Sequence, residues 1–176
     1  MLVNVYPLQV VRSQMLEAAQ EDMVGGAVTL AANLAQGATA LSRVKVEEFD
    51  EVMKVFEPAK SRRVLIADSS GLVLYDSVQT THFIGRLALF PEVFSALEGF
   101  DIFSCTYSDT TFETRSAAPI VRDDGVEGVV FMYKNNVDNA EMLGQVRSDM
   151  YNITLAGPVR FFVLAPFFHV YPAHPF

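Results

Sequence analysis

The sequence is poor in the residues that build disulfides, zinc sites and catalytic centres. Its 176 residues include one cysteine, Cys105, and three histidines. A single cysteine excludes an intrachain disulfide and a zinc site made of several cysteines, and we expect Cys105 to be a small buried hydrophobic residue. The sequence also lacks a G-x-S-x-G elbow, a P-loop, an H-E-x-x-H motif and a dinucleotide-binding fingerprint. We therefore expect no enzymatic activity and no cofactor, and we assign no metal ligands.

Positive charge is scarce as well. The formal net charge is −8, and no basic face is visible that could neutralise phosphates, which argues against a nucleic-acid partner. Hydrophobic residues make up 51% of the chain and charged residues 19%. This is the composition of a globular protein rather than a disordered one. The length fits a single domain with a core of useful size.

An uninterrupted membrane-spanning run is missing. Residues 156–176 are apolar, but Pro158, Pro166 and Pro172 interrupt them, whereas a spanning helix needs about 20 mostly apolar residues. We expect one domain over residues 1–155 and a tail over residues 156–176 that is poorly ordered or foreign to the native domain. A transmembrane segment in the tail is the alternative. No signal or transit peptide is recognisable at the start of the chain.

Two β-hairpins are predicted within residues 63–135. The first joins residues 64–67 to 72–75 through Asp68-Ser69-Ser70-Gly71, and the second joins residues 117–121 to 126–133 through Arg122-Asp123-Asp124-Gly125. Gly after Asp or Ser between apolar runs favours a tight turn, because glycine supplies the positive φ that such a turn needs. Asp68 and Gly71 are therefore best interpreted as turn residues. Further strands at residues 102–108 and 111–120 would complete one antiparallel sheet.

Helices are predicted on both sides of this sheet in the chain. Residues 7–41 show apolar spacing of three and four, with a phase change near Gly25-Gly26 that suggests a bend. Such a helix would be roughly 50 Å long, so its 8–18 half either pairs with a second copy or packs across its own sheet. Shorter helices are predicted at residues 46–56 and at 91–97, the latter closed by Gly99. A last helix runs to about Leu155, after capping residues such as Asp138.

Several of these segments together resemble a known family. The segments LIADSSGLVLYDS, Ile84-Gly85-Arg86, EVFSALEG and SAAPIVRDDGVEGVVFMYKN are similar, in order and spacing, to the extracytoplasmic PAS-like, or Cache, sensor domains of bacterial two-component histidine kinases. The resemblance covers residues 5–155. It implies an α+β fold, with a five-stranded antiparallel sheet, a long amino-terminal helix on one face and a carboxy-terminal helix. It also implies a place outside the cytoplasm at the cell membrane, between flanking spans that this chain lacks, and a kinase module that is absent here.

The resemblance further implies a small-molecule ligand on the other face of the sheet, under residues 77–108. Citrate- and dicarboxylate-sensing relatives carry basic residues and a histidine there, and His82, Arg86 and Arg115 are the matching residue types. Those relatives tend to carry a His-Pro pair where this chain has Tyr75-Asp76-Ser77, which leaves the ligand class open. A small, possibly anionic ligand is expected, with Tyr75 and Tyr107 as further candidates for lining the pocket.

Each candidate also has a structural interpretation. Strand alternation places Arg115 on one face with Glu113 and Ala117, where it could bind a carboxylate through both nitrogens of its fork or simply pair with Glu113 or Asp109. His82 and Arg86, four residues apart, could converge on the same anion or could lie in a solvated loop. Tyr75 and Tyr107 are each better explained as half-buried strand aromatics.

Two rival functions remain open at the level of the sequence. A dimerisation or interaction domain without a ligand would have its sheet face filled by side chains. A metal-sensing variant would cluster carboxylates, for instance Asp123, Asp124 and Glu127. For the sensor we expect a homodimer formed through the 8–18 half of the first helix.

Overall fold

A five-stranded antiparallel sheet forms the centre of the protein in its computed structural model. The structure describes residues 5–37, 41, 44, 46–56, 62–78, 83–108, 111–123, 125–135, 145 and 148. In chain order the elements are α1 (Val5–Gln36), α2 (Val46–Phe56), β1 (Arg62–Asp68), β2 (Val73–Asp76), α3 (Pro91–Leu97), β3 (Ile102–Ser108), β4 (Thr111–Arg122) and β5 (Gly125–Asn135). The strands lie in the order β2-β1-β5-β4-β3. The predicted α+β fold with five antiparallel strands is confirmed.

The turn between β1 and β2 is built by Asp68 and Gly71, as predicted. The Asp68 Oδ1 atom accepts the backbone N–H groups of Ser70 (2.8 Å) and Leu72 (3.0 Å), and Gly71 has a φ of 82°. The turn between β4 and β5 differs from the prediction, because its left-handed residue is Asp123, with a φ of 53°, and not Gly125. Aspartate is one of the few residues other than glycine that tolerates this conformation.

The face of the sheet toward α1 and α2, here called the α1 face, carries the larger core. Alternate strand residues point to this side, and each large aliphatic side chain buried there stabilises the fold by about 1.5–3 kcal/mol. The core residues from the sheet are Val64, Ile66, Tyr75, Ala118, Ile120, Val130 and Met132, and those from the helices are Met23, Ala27, Leu30, Ala31, Leu34, Phe49 and Met53.

The opposite face, here called the α3 face, is covered by α3 and the segment before it. Leu65, Val73, Ala117, Val129 and Phe131 of the sheet pack there against Ala88, Val93 and Ala96. Pro91 lies in the first turn of α3, where its missing N–H costs nothing. Gly99, with a φ of 96°, follows the helix and donates its N–H to the Ala96 carbonyl. This is the glycine cap that the sequence predicts.

Helix α1 continues through Gly25-Gly26 without a break and ends at Gln36 rather than at Leu41. Its 32 residues make it about 48 Å long at 1.5 Å per residue. Val11 and Met15, from its amino-terminal half, pack against Phe112 of β4. The interpretation that α1 packs across its own sheet therefore applies to this half too.

The two neighbouring glycines of α1 lie in different surroundings. A Cβ atom on Gly26 would lie 3.2 Å from Arg62 Nη1 and 3.4 Å from Met132 Sδ, whereas one on Gly25 would meet nothing within 4 Å. We expect Gly25→Ala to stabilise the protein by about 1 kcal/mol, because alanine is the better helix former. Gly26→Ala should stabilise the protein clearly less, since the side chains of Arg62 and Met132 must move to make room for the added Cβ atom. Urea unfolding of both variants measures the difference, and equal gains would contradict the close contact.

Part of the predicted carboxy-terminal region lies outside the described residues. Gln145 and Ser148, within the predicted last helix, are helical, while the remainder of that helix and residues 156–176 are not described. Among the helices that are described, none is long and apolar enough to cross a membrane.

Candidate ligand-binding site

A charged cluster lies under α3 on the α3 face of the sheet. It consists of Arg115, Glu113, Glu92 and Ser104 and is called the Arg115 cluster below. Alternation along β4 brings Glu113 and Arg115 to this face, as the sequence predicts, and Ser104 of β3 stands directly opposite Arg115 in the ladder. Glu92 comes from the first turn of α3 and is buried with the inner side of that helix.

The Arg115 cluster joins one base to two acids. Arg115 Nη2 contacts Glu113 Oε1 as an ion pair, although the contact lacks hydrogen-bond geometry. Arg115 Nη1 lies 3.9 Å from Glu92 Oε1, and the Ser104 hydroxyl donates a short hydrogen bond to that same oxygen. The pairing with Glu113 is one of the two partners that the sequence offers as the alternative to ligand binding.

Three atoms of the cluster are buried without a hydrogen-bond partner among the described residues, and one of them, Glu113 Oε1, is in ionic contact with Arg115 Nη2. The other two are the Glu92 Oε2 acceptor and the Arg115 Nε–H donor. The side chain of Glu92 is only 7% exposed and that of Arg115 is 33% exposed. A buried polar atom without a partner costs about 1–3 kcal/mol, so this part of the α3 face has unmet capacity for hydrogen bonding.

A second charged pair on the α3 face links Arg63 of β1 to Asp76 of β2. Arg63 donates to both carboxylate oxygens, from Nε at 3.0 Å and from Nη2 at 2.6 Å. Asp76 also accepts the backbone N–H groups of Val78 (3.0 Å) and Phe83 (3.3 Å), and the Arg63 guanidinium lies 4.6 Å from the centre of the Phe83 ring. Asp76 therefore fixes Phe83 against the sheet, a role that the sequence does not reveal.

Aromatic side chains fill the α3 face beside these charged groups. The rings of Phe90 and Phe131 stack with their centres 4.6 Å apart, and Phe83 lies 6.5 Å from Phe90. This arrangement is the filled sheet face that the interaction-domain alternative predicts.

Two grooves border the α1 face instead. One, of about 270 Å³, is lined by residues that include Asp22, Gly25 and Arg62. The other, of about 350 Å³, lies between α1 and the end of β4, at Val28 and Val121 among others.

Of the four predicted site residues that the structure describes, only Arg115 itself lies in the Arg115 cluster. Arg86 is exposed, and its backbone carbonyl accepts the N–H of Val73 on the outer side of β2. Because β1 and β5 separate β2 from β4, Arg86 and Arg115 lie toward opposite edges of the sheet. His82 lies outside the described residues.

The two tyrosines of the predicted site lie on the α1 face. Tyr75 belongs to the main core, and Tyr107 packs near Phe112, Val11 and Met15. A pocket lined jointly by these tyrosines and Arg115 is therefore wrong, since the sheet separates them. Ligand contact by Arg115, Arg86 or His82 stays a prediction.

Tyr75 is tied to helix α2. It is 5% exposed, and its hydroxyl donates to Asp50 Oδ1 at 2.9 Å. Burial, followed by the hydrogen bond and negative charge of Asp50 and then the charge of Asp76, raises the pKa of Tyr75 to about 12 from 10.0.

The raised pKa of Tyr75 predicts a loss of stability in alkali. The unfolded phenol ionises near pH 10 and the folded one near 12, so the stabilisation is complete below pH 10 and lost as the pH rises to 12. A shift of this size corresponds to roughly 2–3 kcal/mol. Urea unfolding at pH 8 to 12 should show this loss in the parent and much less of it in Tyr75→Phe. Parallel pH profiles for the two proteins would contradict the buried hydrogen bond.

Cys105 and Tyr107 form a small satellite cluster with α1. The Arg12 guanidinium lies 4.9 Å from the centre of the Tyr107 ring. Burial raises the pKa of the half-buried Cys105 thiol, and the charge of Arg12 opposes this shift.

The acidic turn between β4 and β5 gives no sign of a metal site in the part of the chain described. Glu127 is paired with Arg122, with 3.2 Å between Oε2 and Nε, Asp123 is exposed, and Asp124 is not described. Within the described ranges, no group of three or more His, Cys, Asp or Glu side chains could hold a metal ion.

Sequence comparisons find no relative of this chain. No protein-family model matches it, and no curated protein does.

Solved structures, in contrast, share its fold. An extracellular ligand binding receptor from Desulfohalobium retbaense superimposes with a TM-score of 0.62 and 14% identity over 81% of this chain, which spans only 27% of that receptor. The E. coli DcuS sensor domain gives a TM-score of 0.50 and 14% identity, with 72% of this chain and 95% of that domain covered. The V. cholerae histidine kinase DctB sensor domain gives 0.43 and 18% identity over 57% of this chain and 39% of that chain. The first two of these structures show that the protein has the fold of extracytoplasmic PAS-like, or Cache, sensor domains.

Proposed function

We propose that this chain is the extracytoplasmic ligand-sensing domain of a membrane-bound histidine kinase. It binds a small molecule on the α3 face and passes the signal on through its terminal helices. The observation that carries the proposal is the Arg115 cluster, in which the buried Glu92 Oε2 acceptor and the buried Arg115 Nε–H donor have no hydrogen-bond partner among the described residues. The domain itself has no catalytic role, and nucleic acid is not among its partners.

The chemistry of the cluster supports a binding role over a purely structural one. Buried ion pairs are often no more stable than apolar side chains of similar volume, so a cluster with buried atoms that lack a hydrogen-bond partner is poorly explained by stability alone. A ligand that supplied the missing partners would recover the cost of burying them. Recognition of small molecules commonly depends on a few such polar groups within a mostly apolar surface.

A route from the ligand to α1 follows from the sheet. Helix α3 packs on β3, β4 and β5, and α1 packs on the same three strands from the other face. A ligand that binds Glu92 of α3 and Arg115 of β4 would change how α3 sits on the sheet. Any shift of β4 would act on α1 directly, because packed elements move as units between discrete arrangements.

The shared fold supports the place of the domain as well as its role. The chain matches nearly the whole length of a domain described as a sensor domain, and it matches part of a receptor described as extracellular and ligand-binding. At this level of identity the likeness concerns the fold. The extracytoplasmic position, the membrane anchorage through flanking spans and the kinase downstream are therefore parts of our proposal.

Association of two copies through the amino-terminal half of α1 is a further part of this proposal. Val11 and Met15 are partly covered by Phe112. A dimer interface would therefore have to use the outer side of the helix, where Leu16 is 36% exposed. Sedimentation of Leu16→Glu beside the parent tests it. A several-fold weaker dimer is expected, and an unchanged association would exclude this side of the helix.

An interaction domain without a ligand is the second candidate. It is favoured by the stacked aromatics on the α3 face and by large apolar side chains exposed around α3. These are Leu87 at 54%, Leu89 at 71%, Phe94 at 51% and Phe100 at 60%. Exposed apolar residues of this size often mark a surface that contacts another protein.

A ligand screen with matched variants decides between the two candidates. Thermal shift with amino acids, amines and carboxylates identifies a binder, and calorimetry gives its affinity for the parent and for Arg115→Gln. Loss of a charged hydrogen bond should weaken binding roughly ten- to a hundred-fold. Arg62→Gln is the control, because Arg62 is also an ion-paired strand arginine, bonded to Asp22 at 2.9 Å, and lines a groove on the α1 face. Equal losses in both variants, or a library without a binder, would overturn the proposal.

A further inference from the structure

The backbone between Ala88 and Ile102 is bonded to the sheet only at its two ends. At one end, the Ala88 N–H donates to the Gly71 carbonyl at 2.8 Å. At the other end, Ile102 begins β3 and pairs with Ala117 of β4. Among the residues that the structure describes, no backbone hydrogen bond joins residues 89–101 to the sheet. Helix α3 is therefore held on the α3 face by side chains alone.

One side chain supplies the polar contacts of this stretch with the sheet. Glu92 accepts the Ser104 hydroxyl and lies 3.9 Å from Arg115 Nη1. In the described part of the chain, no other side-chain hydrogen bond or ion pair links residues 89–101 to a strand. Hydrogen bonds to an ionised carboxylate are stronger than those between neutral groups, so the bond from Ser104 to Glu92 is the main polar restraint on α3.

The apolar packing under α3 is modest as well. The apolar side chains that this helix buries fully are the small ones of Val93 and Ala96, and Phe90 and Leu97 are partly buried beside them. Hydrophobic stabilisation grows with the apolar area that is buried. Strands β4 and β5, in contrast, each pair with a strand on either side. We therefore expect α3 to be fixed less firmly than these two strands.

We infer that residues 89–101 form a lid over the α3 face, which opens as one unit while the five-stranded sheet stays folded. The bond from Ser104 to Glu92 breaks when the lid opens. Gly99, with a φ of 96°, lies between α3 and β3, where a glycine gives the backbone the freedom that a hinge needs. Units with few buried contacts open at a free energy below that of global unfolding.

An open lid exposes the Arg115 cluster to solvent. Glu92 leaves with α3, whereas Arg115 and Ser104 stay on the sheet, so a small molecule can reach groups that the closed lid covers. This consequence rests on the proposed ligand-sensing function. The opening itself does not, because it follows from how α3 is attached.

Native-state hydrogen exchange of the unliganded protein measures the opening. Amides that bond within α3, together with that of Glu98, which donates to the Phe94 carbonyl at 3.2 Å, are compared with those of β5 at the centre of the sheet. The α3 amides should share one opening free energy and be at least about ten-fold less protected than those of β5. Equal protection in α3 and β5 would show that α3 opens only when the whole domain unfolds, and the lid would be wrong.

Ser104→Ala and Ser77→Ala then identify the bond that the opening breaks. The Ser104 hydroxyl donates to Glu92, whereas the Ser77 hydroxyl accepts the N–H of Val64 in β1 at 2.9 Å, away from the lid. Ser104→Ala should lower protection about ten-fold in α3 and in β5 alike, because its bond is lost in local opening and in global unfolding. Ser77→Ala should lower protection in β5 and leave α3 unchanged, since β1 stays folded when the lid opens.

Two results of the variant experiment would contradict the lid. One is an unchanged protection of α3 in Ser104→Ala, and the other is an equal loss of protection in α3 and β5 in Ser77→Ala. No ligand enters these measurements. Their failure would leave the ligand-sensing function standing, and a ligand screen without a binder would leave the lid standing.

Discussion

Replacing Asp76 with alanine is expected to lower the free energy of unfolding by about 3 kcal/mol, a typical cost of removing one partner from a buried ion pair. The Asp76 side chain is 1% exposed and Arg63 is 21% exposed. The change takes away a carboxylate that accepts from Arg63 and from the backbone N–H groups of Val78 and Phe83. The segment leading to Phe83 should therefore loosen from the sheet as well.

Thermal unfolding measures this effect directly. A loss of about 3 kcal/mol corresponds to a fall in Tm of roughly 6–12 °C for a domain of this size. Asp22→Ala is the matched control, because Asp22 also pairs with a strand arginine, Arg62, but its side chain is 44% exposed. An exposed ion pair contributes about 0–1 kcal/mol to stability, so the Tm of Asp22→Ala should hardly differ from that of the parent. Similar changes in Tm for both variants would contradict the structural role of Asp76.

Phe131→Ala is expected to cost about 3–5 kcal/mol, the usual range for removing a buried phenylalanine. Phe131 is 2% exposed in the middle of the α3 face and stacks on Phe90. The substitution removes buried apolar surface and leaves a cavity, while the ladder hydrogen bonds between β5 and its neighbours can persist. Phe94→Ala serves as the control, because Phe94 is 51% exposed on α3. Urea unfolding should show a much larger loss of stability in Phe131→Ala than in Phe94→Ala. Equal losses of stability in these variants would show that Phe131 does not lie in a packed core on the α3 face.

The strands and turns could be predicted because their signals are local. Apolar residues alternate along β4 on both faces, and Asp68 with Gly71 forms the turn that the sequence indicates. The second turn was predicted in place but not in detail, since Asp123 takes the left-handed conformation expected of Gly125. Both residue types tolerate it, and strand pairing decides between them.

The sequence determines on which face of the sheet Tyr107 lies, but it does not determine the face of Tyr75. The short connection between β3 and β4 gives the register Ser108↔Thr111, which sets Tyr107 beside Phe112 and away from the face of Arg115. That placement follows from strand alternation alone. Tyr75 is different, because the pairing of β1 with β2 shifts between Ile66 and Ala67. Such a bulge has no reliable signal in a single sequence.

Glu92 is the site residue that sequence reasoning missed. An acidic residue after proline at the start of a short helix is typical of a solvent-exposed first turn. Its burial depends on how α3 docks onto β3 and β4, which is a property of tertiary packing. Only that docking brings Glu92 to Ser104 and Arg115. The separation of Arg86 from Arg115 is likewise a property of tertiary packing, because it follows from the strand order.

Amide hydrogen exchange of the protein with and without a ligand identified in the screen tests the central claim most directly. If the ligand binds the Arg115 cluster, protection should increase in α3 and in the parts of β3 and β4 around Ser104 and Arg115. Any change in α1 should be smaller, because α1 lies on the other face of the sheet. Protection confined to the groove at Asp22 and Arg62 on the α1 face would contradict ligand sensing on the α3 face.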